Sequence, residues 1–541
     1  MEFGFFAPEL PPCFNSSDFA KNQKYIFKAF EAIPHKKGVA AYLLKKTKPS
    51  YFNFPRYGNS DRRHGIVNPV AYFLLSHALA KNYVQLRTLA SKSKLSISPN
   101  LFDWQGRRAI LRPKFELKDN FVSNVEANFE YTATTDLSAF YHSIYTHSIP
   151  WAIHGKDYAK KHTKDYKLIG NLLDLLCRNS QDGQTIGLTV GPDTSRMIAE
   201  IIGVAIDVEL ITDHAKLAKS CKRFVDDFTI GCSSKPDADR TIAAIRQVAH
   251  KFELELNSRK TSIKENVTRV ENGWKDRIRA SVPKPPYSES DLNAYFFEVA
   301  SVQEKLPETN VLKFAIKNAR VAFIKAPTWQ NIYWFLLSSY RQNSTLIDSL
   351  IEILIERHRS QKDLDIESLA AFLKGRIPTL IEQRRDGELI WILYLARCLK
   401  IELHAKDLEG TFARAEGIVA LQIAEAASAR LILGKIDYRL WDQSLSVEGL
   451  DNGMWLYAYE SVRLNIRPKT RNYIPNHEFF SPILARNIGF FRPEEGIPAF
   501  RSNMDLLKRE NRISHKMTKE LLEDSMFDFE DIDGFEDEET Y

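Results

Sequence analysis

The chain has few cysteines and lacks long apolar runs. Its 541 residues include only five cysteines, which are scattered without a CxxC pair or any metal-binding spacing. This usage is typical of free thiols in a reducing compartment, so we expect a cytoplasmic protein without disulfides. No apolar stretch reaches 18 residues, and the first residues, Met1 to Phe3, carry no basic charge ahead of an apolar run. We therefore expect no membrane span and no secretory signal.

Basic residues are missing from the last stretch of the chain. Residues 521–541 contain ten acidic side chains and no Lys or Arg. The rest of the chain therefore carries 75 basic and 59 acidic residues, a formal charge of +16. A basic body is typical of proteins that bind phosphate-bearing partners. We interpret the acidic end as a solvated tail, and the alternative is that it shields a basic nucleic-acid groove.

A proline-rich run divides the chain. Residues 279–286 read RASVPKPP, a run that cannot continue a helix. Before it, short strand-like and helical segments mix, whereas apolar residues at helical spacing dominate after it. We predict an α+β fold with a mixed domain at 1–282, a linker at 283–291, an all-α helical-repeat-like domain at 292–520 and the acidic tail. Gly375, close before Pro378, predicts a helix end.

Two acidic motifs in the first half predict a site for phosphoryl transfer. The β-branched run from Tyr131 ends at Asp136, and about 90 residues later Asp226 and Asp227 stand between apolar flanks, as at a hairpin tip. Either motif alone fits a helix cap or a solvated turn. Together they match a site in which two Mg²⁺ ions, each preferring oxygen ligands, clamp the attacking and leaving oxygens.

The segments around these acids predict the rest of a split sheet. Residues 182–192 form a glycine-rich turn that leads into an apolar helix, and Gly191 lets the backbone approach a nucleotide closely. Pro236 is placed near a helix start, and residues 254–257 predict the following strand. The order is strand, helix, hairpin, helix, strand.

At these residues the chain resembles the reverse-transcriptase family. Residues 136–141, DLSAFY, are similar to its first catalytic motif; residues 224–227, FVDD, to its aromatic-x-Asp-Asp box; and residues 256–261 to its Lys-Thr motif. The resemblance implies a fingers and palm domain and makes Asp136, Asp226, Asp227 and Lys260 catalytic. It assigns the metals, two Mg²⁺ ions with Mn²⁺ as the alternative, to Asp136, Leu137, Asp226 and Asp227, with Asp227 facing away and supporting the others.

The same resemblance implies the nucleotide contacts. Tyr141 is the expected steric gate at the sugar 2′ position, and Lys260 is a candidate proton donor to pyrophosphate. Arg62 and Arg63 are candidates to clamp the triphosphate of a deoxynucleotide, with a plain surface Arg pair as the alternative.

Within this family the chain is most similar to the abortive-infection branch, the polymerases similar to AbiK. That similarity rests on residues 145–151, YTHSIPW, on residues 194–198, and on a helical, HEAT-like second half in place of a thumb. It implies antiphage defence by template-independent DNA synthesis that is primed from a tyrosine. It further implies a single-stranded DNA product bound covalently to the protein, and a homo-oligomer.

The second motif departs from that of templated enzymes, which matters for function. Thr189, Val190 and Gly191 stand where the family usually has Pro-Gln-Gly, and Val190 lacks the polar contact of that Gln. The primer tyrosine is not fixed by alignment; Tyr25 and Tyr541 are the candidates. A conventional RNA-templated reverse transcriptase remains the alternative, and a helical binding scaffold with an inactive palm is a third reading.

Overall fold

The computed structural model describes most of the chain, and its helices greatly outnumber its strands. The described residues are 4–34, 40–58, 60–100, 110–111, 115–266, 273–467, 472–493, 495 and 512. The predicted acidic tail at 521–541 lies outside them. Small sheets combined with many helices confirm the predicted α+β class.

In the described part of the first half, helices of 4 to 21 residues combine with six strands. The helices are α1 (Ser17–Lys21), α2 (Gln23–Glu31), α3 (Pro69–Lys81), α4 (Tyr83–Ala90), α5 (Phe115–Asn128), α6 (Phe140–Ser143), α7 (Ser148–His154), α8 (Lys156–Lys161), α9 (Ile169–Asn179), α10 (Asp193–Asp213), α11 (Leu217–Ser220), α12 (Lys235–Lys251) and α13 (Trp274–Ser281). The strands are β1 (Ser50–Arg56), β2 (Ser60–Ile66), β3 (Tyr131–Asp136), β4 (Cys221–Phe224), β5 (Asp227–Cys232) and β6 (Ser262–Glu265).

The second half is helical, as its sequence pattern predicts. Its helices are α14 (Glu289–Lys305), α15 (Val311–Lys325), α16 (Gln330–Gln342), α17 (Ile347–Ser360), α18 (Ile366–Glu382), α19 (Asp386–Leu399), α20 (Glu409–Phe412), α21 (Gly417–Ser428), α22 (Arg439–Asp442), α23 (Trp455–Arg463) and α24 (Phe480–Ala485). Helices α15, α17, α19, α21 and α23 pack in succession, each against the next. This half also contains two short strands that pair in parallel, β7 (Leu403–His404) and β8 (Ile432–Leu433).

A four-stranded antiparallel sheet forms the centre of the first half. Its strand order is β4-β5-β3-β6, and α12 packs against β3 and β5. Along β3, Ala133 and Thr135 are buried on one face, and on the other face Thr134 is partly exposed while Thr132 and Asp136 are also buried. The sheet thus has one face on the core and one face open at the ends of β3 and β5.

The described residues form two hydrophobic cores, and these cores do not coincide with the two halves of the sequence. The larger core joins apolar residues between 5 and 73 with others between 278 and 491, and the smaller one is built from residues 75 to 254. Phe5 lies where the start of the chain packs against residues near its other end. Its ring centroid is 4.6 Å from that of Tyr72 and 5.8 Å from that of Phe490. Trp391 adds a hydrogen bond of 2.7 Å from its indole nitrogen to the carbonyl of Glu9. Strand β1 packs against α19, so the β1–β2 hairpin also lies on the helical half.

Two local predictions are wrong. Residues 254–257 form no strand; Leu256 makes one isolated bridge to Leu137, and the strand that borders β3 is β6. That segment is drawn instead into the loop after β3, where the Asn257 amide donates to the Asp136 carbonyl at 2.8 Å. Helix α18 also continues through Gly375 and contains Pro378, which interrupts it only locally.

The predicted helix start at Pro236 is confirmed, and two further findings concern cysteines and membrane spans. All five cysteines are free. Pro236 occupies the first turn of α12, where its missing amide hydrogen costs nothing. Within the described part of the chain, no helix is long and apolar enough to cross a membrane.

Candidate active site

The acidic motifs meet at the open end of the four-stranded sheet. Strands β3 and β5 pair in a register that sets Asp136 directly opposite Asp227. Strands β4 and β5 are joined by a two-residue turn, Val225 and Asp226, because Phe224 pairs with Asp227. The sequence therefore predicted this arrangement of strand end and hairpin tip correctly.

The hairpin turn is strained and held from three sides. Val225 has φ of +61°, a left-handed conformation that a β-branched residue rarely adopts. Its amide donates to the Ser98 hydroxyl at 2.7 Å, and its carbonyl accepts from Arg223 at 2.7 Å. The Asp226 carbonyl accepts from the Leu137 amide at 3.1 Å. Strain of this kind persists only where surrounding contacts fix it, and it is concentrated at functional sites.

A buried ion-pair network behind the turn was missed by sequence reasoning. The fully buried guanidinium of Arg223 contacts Asp207 at 2.7 Å and Glu200 at 3.1 Å, both on α10. The hydroxyls of Ser93 and Ser96 donate to the same two carboxylates, each at 2.6 Å. Asp207 and Glu200 fall seven residues apart on α10, so their shared face was a signal that the sequence contained.

The three site carboxylates share a crowded environment. Burial, and then the neighbouring charges of Asp227 and Asp136, raise the pKa of Asp226 to about 6, whereas the charge of Lys260 opposes the shift. Lys260 contacts Asp136 at 2.5 Å, and Lys118 on α5 contacts Asp227 at 2.9 Å. Asp136 and Asp227 are therefore each partly neutralised by a lysine.

The register of β3 against β5 contradicts the predicted orientation of the Asp227 side chain. Directly opposed residues of antiparallel strands project to the same face of the sheet, so Asp227 shares a face with Asp136. It does not turn away, as the sequence motif led us to expect. Its place on the open face is what brings it within reach of Lys118.

The site has one feature that fits a divalent cation and one that does not. The Oδ1 atom of Asp136 is buried without any hydrogen-bond partner, a costly state that a metal ion would relieve. Yet among the described residues no group of three or more His, Cys, Asp or Glu side chains is already gathered as a metal site. The ammonium groups of Lys260 and Lys118 contact the Oδ2 atoms of Asp136 and Asp227. Both ammonium groups would therefore have to move away when a cation binds.

A cleft of about 860 Å³ opens over these carboxylates. Arg56, Arg62 and Arg63 of the β1–β2 hairpin line one wall. Arg63 stacks on the ring of Tyr51, with its guanidinium carbon 3.6 Å from the ring centroid. Burial and then the charge of Arg62 lower the pKa of Arg56, and the charges of Asp226, Asp136 and Asp227 oppose that shift. Arg56 is a cleft residue that sequence reasoning did not name.

The remaining predicted cleft residues line it as well. Tyr141 is almost buried, and this burial raises the pKa of its hydroxyl to about 12. Gly191 has φ of +133°, and an added Cβ would meet Ala7 at 3.0 Å and the Gly65 carbonyl at 3.3 Å. The need for glycine at 191 thus comes at least partly from protein packing. Leu137 lines the cleft with a buried side chain.

Of the two candidate primer tyrosines, the structure describes Tyr25, and it lies away from the carboxylates. Tyr25 lies on α2, where the guanidinium of Arg486 covers its ring at 4.4 Å, and it does not line the cleft. Tyr541 lies outside the described residues.

Comparisons with known proteins leave the family open. No family model matches the chain, and no curated protein matches it. Among solved structures, one similar chain comes from telomerase of Candida albicans in complex with the TWJ fragment of telomeric RNA. The identity is 9% and the TM-score 0.29, with 64% of this chain and 66% of that chain covered. A likeness at that level carries no argument about fold or function.

Proposed function

We propose that the chain is a nucleotidyltransferase, a DNA polymerase of the reverse-transcriptase type. The observation that carries the proposal is the antiparallel register of Asp136 and Asp227 with Asp226 in the adjoining turn. Those carboxylates sit at the floor of a cleft with arginines on its wall and Lys260 beside them. Carboxylates opposite cationic groups suit a substrate that brings both phosphates and metal ions.

The carboxylates are the proposed holders of two Mg²⁺ ions, with Mn²⁺ as a substitute. Asp136 and Asp226 are the principal ligands, Asp227 completes the set, and the buried Oδ1 of Asp136 is available as a ligand atom. Metal ions in such a site supply charge stabilisation to both the attacking and the leaving oxygen. Lys260, displaced from Asp136, is placed to give a proton to the leaving pyrophosphate.

The arginines and Tyr141 are the proposed nucleotide contacts. Arg62 reaches the cleft as a phosphate clamp, and Arg56 joins it because its electrostatic partners are the same carboxylates. Arg63 is committed to stacking on Tyr51 and shapes the wall. Tyr141 acts as the steric gate against a 2′-hydroxyl.

The gate role of Tyr141 predicts a change in sugar selectivity. Replacing Tyr141→Val removes a ring at the sugar, so discrimination against ribonucleotides should fall by at least about tenfold. The ratio of kcat/KM for dATP and ATP measures it. Tyr145→Val, which removes a tyrosine outside the cleft, should leave that ratio alone. Unchanged selectivity in Tyr141→Val would remove this residue from the gate.

Lys118 should compete with divalent cations for Asp227. Both partners of this ion pair are about one-third exposed, so its worth is about 0.2–1 kcal/mol. Lys118→Gln should therefore lower the Mg²⁺ concentration for half-maximal activity by up to about fivefold. Titration of activity with Mg²⁺ checks this, and Lys275→Gln, which breaks the pair with Asp119 outside the cleft, is the matched control. A higher Mg²⁺ requirement in Lys118→Gln would contradict competition.

Template-independent synthesis primed by a tyrosine, in antiphage defence, is the finer part of the proposal. The apolar Val190 supports it, because its side chain offers no hydrogen bond to a templating base. The products proposed are single strands attached to the protein, and the protein itself is proposed to act as a homo-oligomer in the cytoplasm. Templated copying of RNA is the competing outcome.

One assay separates these outcomes. Purified protein is incubated with Mg²⁺ and labelled deoxynucleotides without template or primer, and the products are run on a denaturing gel with and without protease. Label that migrates with the protein and falls to DNA size after proteolysis supports protein-primed, untemplated synthesis. Label that appears only with a primed RNA supports the templated alternative, and no label in either reaction would overturn the polymerase proposal.

A further inference from the structure

Residues 151–168 form an exposed surface that the proposed chemistry does not use. This stretch carries five lysines against two aspartates, with aromatic rings between them. We define the basic–aromatic patch as Trp151, Tyr158, Lys160, Lys161, Lys164 and Lys167. It covers the end of α7, helix α8 and the turn that leads to α9.

The positive charge of the patch is available to a partner. Lys160, Lys161, Lys164 and Lys167 are exposed, and none forms an ion pair with a residue that the structure describes. The nearby Asp165 is engaged with the backbone, since its Oδ1 accepts from the Lys167 amide at 3.0 Å. The lysines are therefore not neutralised by that carboxylate through an ion pair.

The aromatic rings of the patch are presented at its surface. Tyr158 is 48% exposed, and its ring stacks on that of His162 with centroids 4.2 Å apart. The ammonium of Lys160 lies 5.8 Å from the Trp151 ring. Trp151 is half-buried, and the ammonium of Lys156 also lies over its ring at 4.1 Å, so Tyr158 is the ring that a base could stack on, beside the exposed lysines that could meet phosphates.

The turn that carries the patch is preorganised, and a segment paired with Tyr145 leads along the chain to the cleft. The buried Asn171 donates to the carbonyls of His162 and Asp165 at 2.7 and 2.9 Å, which fixes the turn. Ile186, 64% exposed, bridges to Tyr145 just before α7. From Ile186 the backbone runs through five residues, about 17 Å at most, to Gly191 in the cleft wall.

We propose that the basic–aromatic patch binds single-stranded nucleic acid, the strand that leaves the cleft. The lysines contact phosphates and Tyr158 stacks on a base, so binding is independent of sequence. This inference rests on the proposed function for the source of the strand. Binding itself needs neither metal nor nucleotide, so its test stands apart from any test of synthesis.

The charge contribution is tested by a fourfold substitution in the full chain. The variant Lys160→Gln, Lys161→Gln, Lys164→Gln and Lys167→Gln is compared with a control that makes the same change at exposed lysines of the helical half, Lys362, Lys400, Lys406 and Lys435. Fluorescence anisotropy of a 20-nucleotide oligo-dT, without Mg²⁺ or nucleotides, measures affinity across a salt series. The patch variant should bind at least about tenfold more weakly and show a shallower salt slope, by about 0.7 per lost phosphate contact.

The stacking contribution has its own pair of variants. Tyr158→Ala should weaken oligo-dT binding by about fivefold or more, whereas Tyr158→Phe should keep it, because the ring and not the hydroxyl stacks. Equal affinities for the patch and control lysine variants would overturn the proposal. A second outcome would also overturn it: the patch variant keeps its affinity for oligo-dT but loses binding to phosphatidylserine vesicles. That result would assign the lysines to a membrane surface.

Discussion

Asp226→Asn, alone or together with Asp227→Asn, is expected to lower nucleotide incorporation by at least about a thousandfold. A metal ion in this kind of site supplies several kcal/mol of charge stabilisation, and an amide oxygen holds the ion much less well than a carboxylate. Incorporation of labelled deoxynucleotide under saturating Mg²⁺ measures the loss. The matched control is Asp182→Asn, which removes a carboxylate that pairs with Lys48 outside the cleft.

The same substitution should stabilise the fold, which separates lost chemistry from lost structure. Burial raises the pKa of Asp226 to about 6 from its ordinary value near 3.8, so its ionised form is disfavoured in the folded state. That carboxyl therefore costs stability increasingly as pH rises from about 4 through 6. Asp226→Asn should raise the free energy of unfolding at pH 8 by roughly 3 kcal/mol, and the gain should vanish near pH 4.

Urea unfolding at both pH values checks the stability arm. Retained synthesis in the Asp226→Asn variant would remove Asp226 from the site. Lost synthesis with a lower unfolding free energy at pH 8 would assign the loss to misfolding, and the double variant with Asp227→Asn would then be uninformative about chemistry.

Arg223→Met should produce the largest loss of stability. It leaves Glu200 and Asp207 buried without their cationic partner, and breaking a buried pair in this way costs about 3–5 kcal/mol. It also removes the donor to the Val225 carbonyl, so the strained turn should relax and activity should fall further than stability alone explains. Urea unfolding and single-turnover incorporation measure the two effects.

A rescue and a control make the cause specific. Arg223→Met combined with Glu200→Gln and Asp207→Asn removes the unpaired charges and should recover at least half of the lost stability. Arg240→Met, at an exposed pair with Asp237, should cost less than about 1 kcal/mol. A cost for Arg223→Met no larger than that of Arg240→Met would contradict the network as a structural support.

The sequence predicted elements wherever a local pattern decides the structure. The β-branched run into Asp136 formed β3, the apolar flanks of Asp226 and Asp227 formed a hairpin, and the stripe after Pro236 formed α12. Residues 254–257 failed because alternation of leucine with polar residues does not choose a partner strand. Tertiary pairing gave the border of the sheet to residues 262–265 instead.

Site residues were predictable where they are adjacent in sequence and hidden where the fold brings them together. The acids, Lys260 and Tyr141 belong to short motifs, and the resemblance to the reverse-transcriptase family was what named Lys260 and Tyr141; the structure places all of them at one cleft. Arg56, Lys118 and Ser98 reach the site from separate elements, and no local pattern marks them. The face of the sheet on which Asp227 lies depends on the register of β3 against β5. That register is set by strand pairing and is not visible in the sequence of either strand alone.

The packing of Phe5 against aromatic residues near the other end of the chain has a consequence for folding during protein synthesis. Phe5 packs against Phe490 and Trp455, which leave the ribosome roughly 450 to 485 residues later. At about 5–20 residues per second, the N-terminal segment emerges roughly half a minute to a minute and a half before its partners. During that interval its phenylalanines are exposed to solvent and to other chains. Successful synthesis of this protein should therefore depend on a holding chaperone more than that of a chain whose ends fold separately.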